Sequence, residues 1–202
     1  MIKLLLKLTL ILISIKVMSQ NGDNTVIMIE NQKAIFIEAS GNLTLNSSNS
    51  ENIKVNSLLS TQGDIVGYKS PCKRPKFKIK SRYTEDTLYI KIPEKYIPRV
   101  IGVSTYRETI ESLISVPKGY TVILNNPEKA NIEEVNNNIY VFNATETFCK
   151  VNSNEIHTLN CLATKNLLIN GIESSRQFKM MGIGKNHIEI ESENIILNIK
   201  NQ

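Results

Sequence analysis

The sequence is poor in the residues that most often carry out catalysis. Its 202 residues include no tryptophan, two histidines and three aspartates. A serine hydrolase requires a nucleophile elbow such as G-x-S-x-G, and the sequence contains none. A thiol–imidazole pair could be drawn from Cys149 or Cys161 with His157, but the sequence supplies no third group to orient the imidazole. We therefore predict a protein that is not an enzyme and that carries no cofactor.

Long apolar runs are also absent, except at the N-terminus. Two lysines there precede an apolar segment over residues 8–15, and Val17 and Ser19 stand at positions minus three and minus one before an expected cleavage point. This order of features is typical of a secretory signal peptide. The apolar segment is shorter than the roughly 20 residues that span a bilayer. We predict a signal peptide over residues 1–19, with an uncleaved N-terminal anchor as the alternative.

Removal of this segment would leave residues 20–202, a length that suits a single domain with a sizeable core. We expect the processed protein in the periplasm, on the outer cell surface or in the medium, and we do not expect it to span a membrane. The full chain has a formal net charge of +5. Loss of the three lysines in residues 1–19 leaves 21 basic and 19 acidic residues, a net charge of +2. Because nucleic-acid-binding domains are usually strongly basic, nucleic acid is not an expected partner.

Cysteine is scarce, with Cys72, Cys149 and Cys161 as its three residues. An odd number in an exported chain allows one disulfide and leaves one thiol over. Cys149 and Cys161 are the candidate pair, because their short separation in the sequence is easily closed when consecutive strands turn back on each other. The alternative is three buried thiols that act as small apolar side chains.

Alternation of apolar and polar residues is the main positive signal. Lys76-Phe-Lys-Ile-Lys80 and Leu88-Tyr-Ile-Lys-Ile92 both repeat with period two, as do several shorter β-branched runs. Period two indicates half-buried strands. The best helical candidate, Ile156 to Leu168, is interrupted by polar residues and is weaker than the strand interpretation. The sequence therefore predicts an all-β fold.

Asparagine, with 24 residues against nine glycines, occupies the expected corners between these strands. In the second half of the chain, strand-like runs end at Asn125, Asn136, Asn143, Asn152, Asn160 and Asn170. Asparagine tolerates the left-handed backbone conformation that corners need. A strand and a corner thus recur about every nine residues, and three such sides would make a coil of about 27 residues.

This offset defines a specific register between successive coils. It places Ile132 over Leu159, Val135 over Leu162, Val141 over Leu168 and Cys161 over Ile188. Coils in that register would bury their apolar side chains against one another, as a β-solenoid of β-helix or prism-like form requires. A β-sandwich whose turns recur at similar intervals is the alternative.

A basic run over residues 73–82 contains no acidic residue. Its alternation places Lys76, Lys78 and Lys80 on one face, about 7 Å apart between neighbours. Such a face could contact the anionic groups of an envelope polymer, and another surface protein is the second partner that we consider. The alternative is a sheet edge that lysines protect against aggregation.

Two further patterns are candidate binding sites. His187, Glu189 and Glu191 alternate along one strand, so they could hold a divalent cation or flank a glycosidic bond. The favoured interpretation is an ordinary solvated strand face, because no second segment offers metal ligands. The seven tyrosines are scattered along the sequence and could include a glycan-binding pair, although half-buried strand positions explain them as well.

The order of features from Lys76 onward resembles the putative-adhesin family of bacterial envelope proteins, which includes head domains of autotransporter adhesins. The likeness rests on "DTLYIKIPE", then "ESLISVPKGYTVILNN", then short strands that end in "NHIEIESENIILNIKNQ". The resemblance implies an exported β-solenoid with an adhesin-like role at the cell surface or envelope and no catalytic residue. An exported β-sandwich that binds a glycan or a protein is the alternative, and an envelope-polymer hydrolase is a third possibility.

Overall fold

The computed structural model describes residues 20–63, 65–69, 74–98, 100–133, 135, 137–151, 158–162, 166–171, 177–182 and 196–201. These residues form strands, turns and irregular segments, and no helix occurs among them. The all-β prediction is confirmed, and the helical candidate at Ile156 to Leu168 instead contains β-strand residues. No membrane-spanning helix is found in this part of the chain.

Seventeen strands follow one another along the described chain. They are β1 (Gln20–Met28), β2 (Ala34–Glu38), β3 (Asn42–Ser48), β4 (Asn52–Gln62), β5 (Ile65–Lys69), β6 (Lys80–Tyr83), β7 (Thr87–Lys91), β8 (Val100–Ser104), β9 (Arg107–Pro117), β10 (Thr121–Asn125), β11 (Lys129–Glu133), β12 (Asn138–Phe142), β13 (Glu146–Val151), β14 (Thr158–Leu162), β15 (Asn166–Gly171), β16 (Gln177–Gly182) and β17 (Ile196–Asn201).

Most strands belong to two sheets that share one apolar core. The seven-stranded sheet has the order β1-β4-β9-β3-β11-β13-β15, and the six-stranded sheet has the order β14-β12-β10-β2-β7-β6. Two additional pairs, β5 with β8 and β16 with β17, complete the described strands. Both sheets mix parallel and antiparallel neighbours, and the parallel pairs lie side by side.

We call the parallel strands β2, β3 and β10 to β15 the parallel stack; β7 and β9 also pair in parallel, with β2 and β3. Within it the chain alternates between the sheets, so that one strand of each turn lies in each sheet. Thr121 of β10 pairs with Asn138 of β12, which pairs in turn with Thr158 of β14. Partners in the seven-stranded sheet have the same separations in the sequence, since Lys129 pairs with Glu146 and Glu146 with Asn166.

The predicted three-sided register is therefore wrong. Ile132 pairs with Cys149 rather than lying over Leu159, which pairs with Ile139 in the other sheet. Val141 likewise pairs with Cys161 rather than with Leu168. The expected length of a strand plus its corner is close to that observed, but the chain returns to the same sheet after two strands rather than three.

Two of the corners that lead from the six-stranded to the seven-stranded sheet use asparagine at one defined position. Asn126 and Asn143 have φ angles of 58° and 57° and stand at equivalent places one turn apart. In each corner the next residue, Pro127 or Ala144, is buried. The corner role of Asn143 is confirmed. Other predicted corners are wrong, since Asn160 lies within β14 and Asn170 within β15. Asn136 and Asn152 lie outside the described residues.

The corner between β2 and β3 uses glycine instead. Gly41 has a φ angle of 109°, and a Cβ atom placed on it would lie 2.4 Å from the backbone oxygen of Ile110. Strand β9 thus approaches this corner so closely that any side chain would collide with it.

The antiparallel ribbon consists of β4 and β5 on one side and β9 and β8 on the other. Its register is continuous, since Lys54 pairs with Ser115 and Ile65 with Ser104. The chain between β5 and β8 returns to the six-stranded sheet to form β6 and β7. An irregular excursion was expected from Pro93 to Glu108. Of its described residues, those up to Pro98 are irregular, and the later ones include β8 and the start of β9.

The core forms because the inward positions of both sheets are apolar. Burial alternates along many of the strands; in β2 and β10 the second and fourth residues are buried and the others are half-buried. Ile37, Leu124 and Val141 form one inward row of the six-stranded sheet, and the paired Leu45 and Ile132 of the other sheet belong to the same core. Full burial of such a side chain contributes roughly 1.5–3 kcal/mol.

One buried polar residue joins two corners of the parallel stack. The Asn137 side chain is fully buried and donates hydrogen bonds to the backbone oxygens of Pro117 and Tyr120, each at 3.0 Å. Its oxygen accepts a hydrogen bond from the Ser47 hydroxyl, also at 3.0 Å. With its amide satisfied, Asn137 ties the end of β9 and the start of β10 to the next turn.

Candidate functional site

The outer face of the six-stranded sheet carries a line of large side chains across five strands. Arg82 is paired with Tyr89, Tyr89 with Phe36, Phe36 with Ile123, and Ile123 with Tyr140. Directly paired residues point to the same side of a sheet. We call Tyr89, Phe36, Ile123 and Tyr140 the aromatic row; all four are half-buried, and the exposed Arg82 lies at one end.

Two rings of this row contact each other, and the arginine contacts one of them. The Phe36 and Tyr89 ring centroids are 5.4 Å apart with an interplanar angle of 42°. The Arg82 guanidinium lies over the Tyr89 ring, 4.9 Å from its centroid. Strands are spaced by about 4.8 Å, so the line from Arg82 to Tyr140 extends roughly 19 Å. Ring contacts and the cation–π contact hold the side chains in place on an otherwise open surface.

A second row runs beside it, on the same outer face. It consists of Lys80, Lys91, Glu38, Asn125 and Phe142. The ammonium group of Lys91 forms ion pairs with Glu38 at 3.2 Å and Glu94 at 3.0 Å. The hydrogen bonds that Lys91 donates, first to Glu94 and then to Glu38, raise the pKa of Lys91 above its usual value. Lys91 is therefore paired with two carboxylates, whereas its neighbour Lys80 forms no ion pair with a described residue.

The three predicted contact lysines lie at the same end of the sheet. Lys76, Lys78 and Lys80 are all exposed, whereas Ile79 between them is buried and Phe77 is half-buried. The predicted alternation of faces is confirmed, but the predicted strand over 76–80 is wrong, because β6 begins only at Lys80. None of the three lysines forms an ion pair with a described residue. Whether they bind an anionic surface stays a prediction.

A buried carboxylate holds the start of this basic segment. Glu108 is 4% exposed and accepts two hydrogen bonds from Arg74, at 2.7 and 3.0 Å. The backbone N–H of Tyr96 and the hydroxyl of Tyr106 also donate to it, each at 2.7 Å. All four bonds satisfy a charge that would be costly to bury alone. Sequence reasoning missed this residue because its partners come from separate segments.

The electrostatics of this cluster follow from the competition between burial and hydrogen bonding. Burial by itself would raise the pKa of Glu108, but the bonds from Arg74, Tyr96 and Tyr106 hold the pKa below its ordinary value. Burial and the bond to Glu108 raise the pKa of Tyr106 to about 12. Glu108 is therefore held in its ionised form, and Tyr106 is held in its protonated form, in which it donates a hydrogen bond.

The other end of the basic segment is held by an aspartate from the edge strand. The Asp23 carboxylate accepts a hydrogen bond from the backbone N–H of Ile79 at 2.7 Å. Together, Arg74 at one end and Ile79 at the other fix the segment that presents Lys76 and Lys78, although this segment is not a strand.

The outer face of the seven-stranded sheet has a different character. A groove of about 550 Å³ crosses it, and a smaller one of about 340 Å³ lies beside it. Asn56 and Leu113 line both grooves, and Leu58 and Leu113 are exposed by 46% and 44%. Small amides and scattered leucines, rather than contacting rings, make up this face.

The two described cysteines lie inside the core. Cys149 in β13 and Cys161 in β14 are both buried, and both are free thiols. Burial raises the pKa of the Cys149 thiol well above its usual value, and the nearby Cys161 adds to this. Burial also raises the pKa of Cys161 to about 12, against a hydrogen bond with Thr147. The Cys149–Cys161 disulfide stays a prediction for the oxidised protein, and Cys72 lies outside the described residues.

The catalytic and metal candidates from the sequence fall elsewhere in the chain. His157, His187, Glu189 and Glu191 all lie outside the described residues. In the ranges that the structure describes, no three His, Cys, Asp or Glu side chains are grouped so that they could hold a metal ion.

The aromatic row was not predicted, although the sequence contains a signal for it. The strands "AIFIE", "TLYIK", "TVILN" and "NIYVF" each carry a large side chain at the third of five positions. Once these strands are paired without offset, their third residues must align. Tyrosines that are scattered along the chain therefore become neighbours in the sheet.

Comparison with known proteins gives only distant structural likenesses. No family model and no curated protein matches the chain. A solved structure of a putative cell adhesion protein from Clostridium sporogenes is 10% identical, with a TM-score of 0.34 and coverage of 91% of this chain and 100% of that chain. A second similar structure is a putative lipid binding protein from Parabacteroides distasonis, which is 9% identical with a TM-score of 0.31 and coverage of 90% of this chain and 94% of that chain. A third is a putative adhesin from Parabacteroides merdae, which is 7% identical with a TM-score of 0.22 and coverage of 90% of this chain and 96% of that chain.

Proposed function

We propose that this chain is an exported, non-enzymatic binding protein with an adhesin-like role at the cell surface or envelope. One observation carries the proposal: the outer face of the six-stranded sheet combines a row of large side chains, two of whose rings are in contact, with exposed lysines at one edge that form no ion pair with a described residue. Contiguous apolar and charged side chains on an open surface are typical of a binding site for a large partner.

The architecture that we infer is a two-sided β-solenoid. Parallel pairing between successive turns, with one strand of every turn in each sheet, supports this interpretation over a sandwich of antiparallel strands. Such a scaffold presents side chains at regular intervals on its flat sides, as extended repetitive ligands require.

The three exposed lysines are the proposed contact with anionic envelope material. Lys76, Lys78 and Lys80 lie on one side of a segment that hydrogen bonds fix near both ends. A fixed positive cluster attracts a polyanion over about a Debye length, and this attraction weakens as salt is added.

The proposal is tested by retention on purified envelope fractions at low and physiological salt. Replacing Lys76, Lys78 and Lys80 with glutamate should reduce the retained fraction by about tenfold or more at low salt, because the positive cluster becomes negative. The matched control is the same change at Lys54, Lys118 and Lys129, which are exposed elsewhere. Equal loss in both triple variants would show a general charge effect and contradict the proposed contact. Failure of the unmodified protein to bind, or release of sugar from the fractions, would overturn the proposed function.

A further inference from the structure

The aromatic row has the form of a platform for sugar rings. Aromatic faces pack against the C–H faces of pyranose rings, and side chains with an apolar body and a hydroxyl tip do this at an open surface. Tyr89, Phe36 and Tyr140 are on one line that crosses the strands. The spacing of the strands, about 4.8 Å, is close to the length of one sugar residue in a linear polysaccharide.

Groups that bind hydroxyls flank the row on both sides. Thr121 and Asn138 lie in the neighbouring row on one side of the aromatic row, and Asn125 lies in the neighbouring row on the other side. All three are half-buried and outward. Amides and hydroxyls supply both donors and acceptors, which suits the many hydroxyl groups of a sugar chain.

The charge at the end of the row selects among sugar polymers. Arg82 lies over the outermost ring and forms no ion pair with a described residue, and Lys80 follows it on the same face. A guanidinium presents a planar fork of donors that matches a carboxylate. Because Arg82 covers the Tyr89 ring, a uronic-acid sugar that packs beside Tyr89 would bring its carboxylate to the guanidinium.

We propose that the outer face of the six-stranded sheet binds a linear acidic polysaccharide, whose sugar rings pack on the aromatic row and whose carboxylates contact Arg82 and Lys80. This inference rests on the proposed function and names its ligand class. A polyol phosphate or a polyphosphate would use the lysines alone, because neither has rings to pack on the row.

The experiment measures binding of the whole protein to alginate, to neutral dextran and to polyphosphate by affinity electrophoresis and titration calorimetry. Alginate should bind with the highest affinity. The Phe36→Leu/Tyr89→Leu double variant keeps apolar volume on the strands but removes two ring faces, so its alginate affinity should fall by about tenfold or more. Its polyphosphate affinity should be unchanged. Phe148→Leu, which changes a half-buried aromatic residue on the seven-stranded sheet, is the matched control and should bind as the unmodified protein does.

A variant that increases binding is also informative, because an unfolded protein would not show a higher affinity. Ile123 is the one non-aromatic member of the row, and Ile123→Tyr would complete it. We expect this variant to bind alginate severalfold more tightly, and Arg82→Gln to bind it severalfold less tightly without any change toward dextran.

Three results would overturn the inference: alginate affinity that is equal in the double leucine variant and the unmodified protein, polyphosphate affinity that matches alginate affinity, or no alginate binding at all. Envelope retention measured in parallel separates the two levels of the proposal. Retention could depend on Lys76, Lys78 and Lys80 but not on the rings. This result would support the proposed function and contradict the polysaccharide site. Absence of retention would remove the proposed function itself.

Discussion

The parallel stack and the antiparallel ribbon meet in one sheet but place their polar groups differently. In the parallel stack the inward rows are largely aliphatic, and the fully buried Asn137 lies at a corner, where it bonds to backbone oxygens. The ribbon carries polar groups inside its strands: the Ser57 and Ser112 hydroxyls bond to each other at 2.8 Å across paired strands, and Glu108 is buried against Arg74.

The difference shows two ways of fixing a strand in place. Strands of the parallel stack repeat one pairing without offset, so most inward residues lie beside apolar neighbours, and apolar packing is the main interaction that specifies this part. The ribbon has no such repetition, and its position relative to the basic segment depends on a few directional bonds. We therefore expect the parallel stack to be sensitive to side-chain volume and the ribbon to be sensitive to charge and pH.

Removal of volume from the parallel stack should have the largest effect. Leu45 is fully buried between β9 and β11, and Leu45→Ala should lower the free energy of unfolding by about 3 kcal/mol through lost burial and a cavity. Urea unfolding followed by circular dichroism measures this. A loss below about 1 kcal/mol would mean that the stack collapses around cavities and is not specified by packing.

Neutralising the buried carboxylate should have the next largest effect. Glu108→Gln keeps the shape of the side chain but leaves Arg74 without its counter-ion, so unfolding should become easier by about 2 kcal/mol. The control is Glu111→Gln, an exposed change on the same strand, which should cost under about 0.5 kcal/mol. Equal costs for the two variants would show that the buried Glu108 carboxylate contributes no more to stability than the exposed Glu111 carboxylate on the same strand.

Acid should weaken the protein through the same carboxylate. Because the pKa of Glu108 is lower in the folded protein than in the unfolded chain, its contribution is complete above the unfolded pKa of about 4.3 and is lost as the pH falls through the folded value. The free energy of unfolding should therefore decline more steeply below about pH 4 in the unmodified protein than in Glu108→Gln. Parallel curves for the two proteins in urea titrations from pH 6 to pH 3 would contradict this.

The smallest effect is expected at a corner of the parallel stack. Asn143 has a left-handed backbone conformation, so Asn143→Ala should cost about 1 kcal/mol, whereas Asn143→Gly should be close to neutral. Thermal unfolding of the two variants measures the difference. If glycine proved as costly as alanine, the side-chain bond to Asn125, at 3.1 Å, would outweigh the backbone conformation.

Many of the strands could be predicted from the local sequence, but the number of strands in each turn could not. Strands such as β2 and β12 follow from alternation, because period two decides which side chains are buried. The number of sides in a turn depends on the direction in which each corner sends the chain, and the spacing of Asn126 and Asn143 does not reveal that direction. The burial of Glu108 could not be predicted, because its partners Arg74 and Tyr96 are distant from it in the sequence.

The position of β2 has a consequence for folding kinetics. This strand lies between β7 and β10 in the sheet, yet all the strands from β3 to β9 intervene along the chain between Glu38 and Thr121. By contrast, β11 alone stands between β10 and β12. Closing the longer loop costs about 2 kcal/mol more in chain entropy. The later turns can therefore assemble locally and quickly, while the joint between β2 and β10 is the slow step that commits the whole core to its native register.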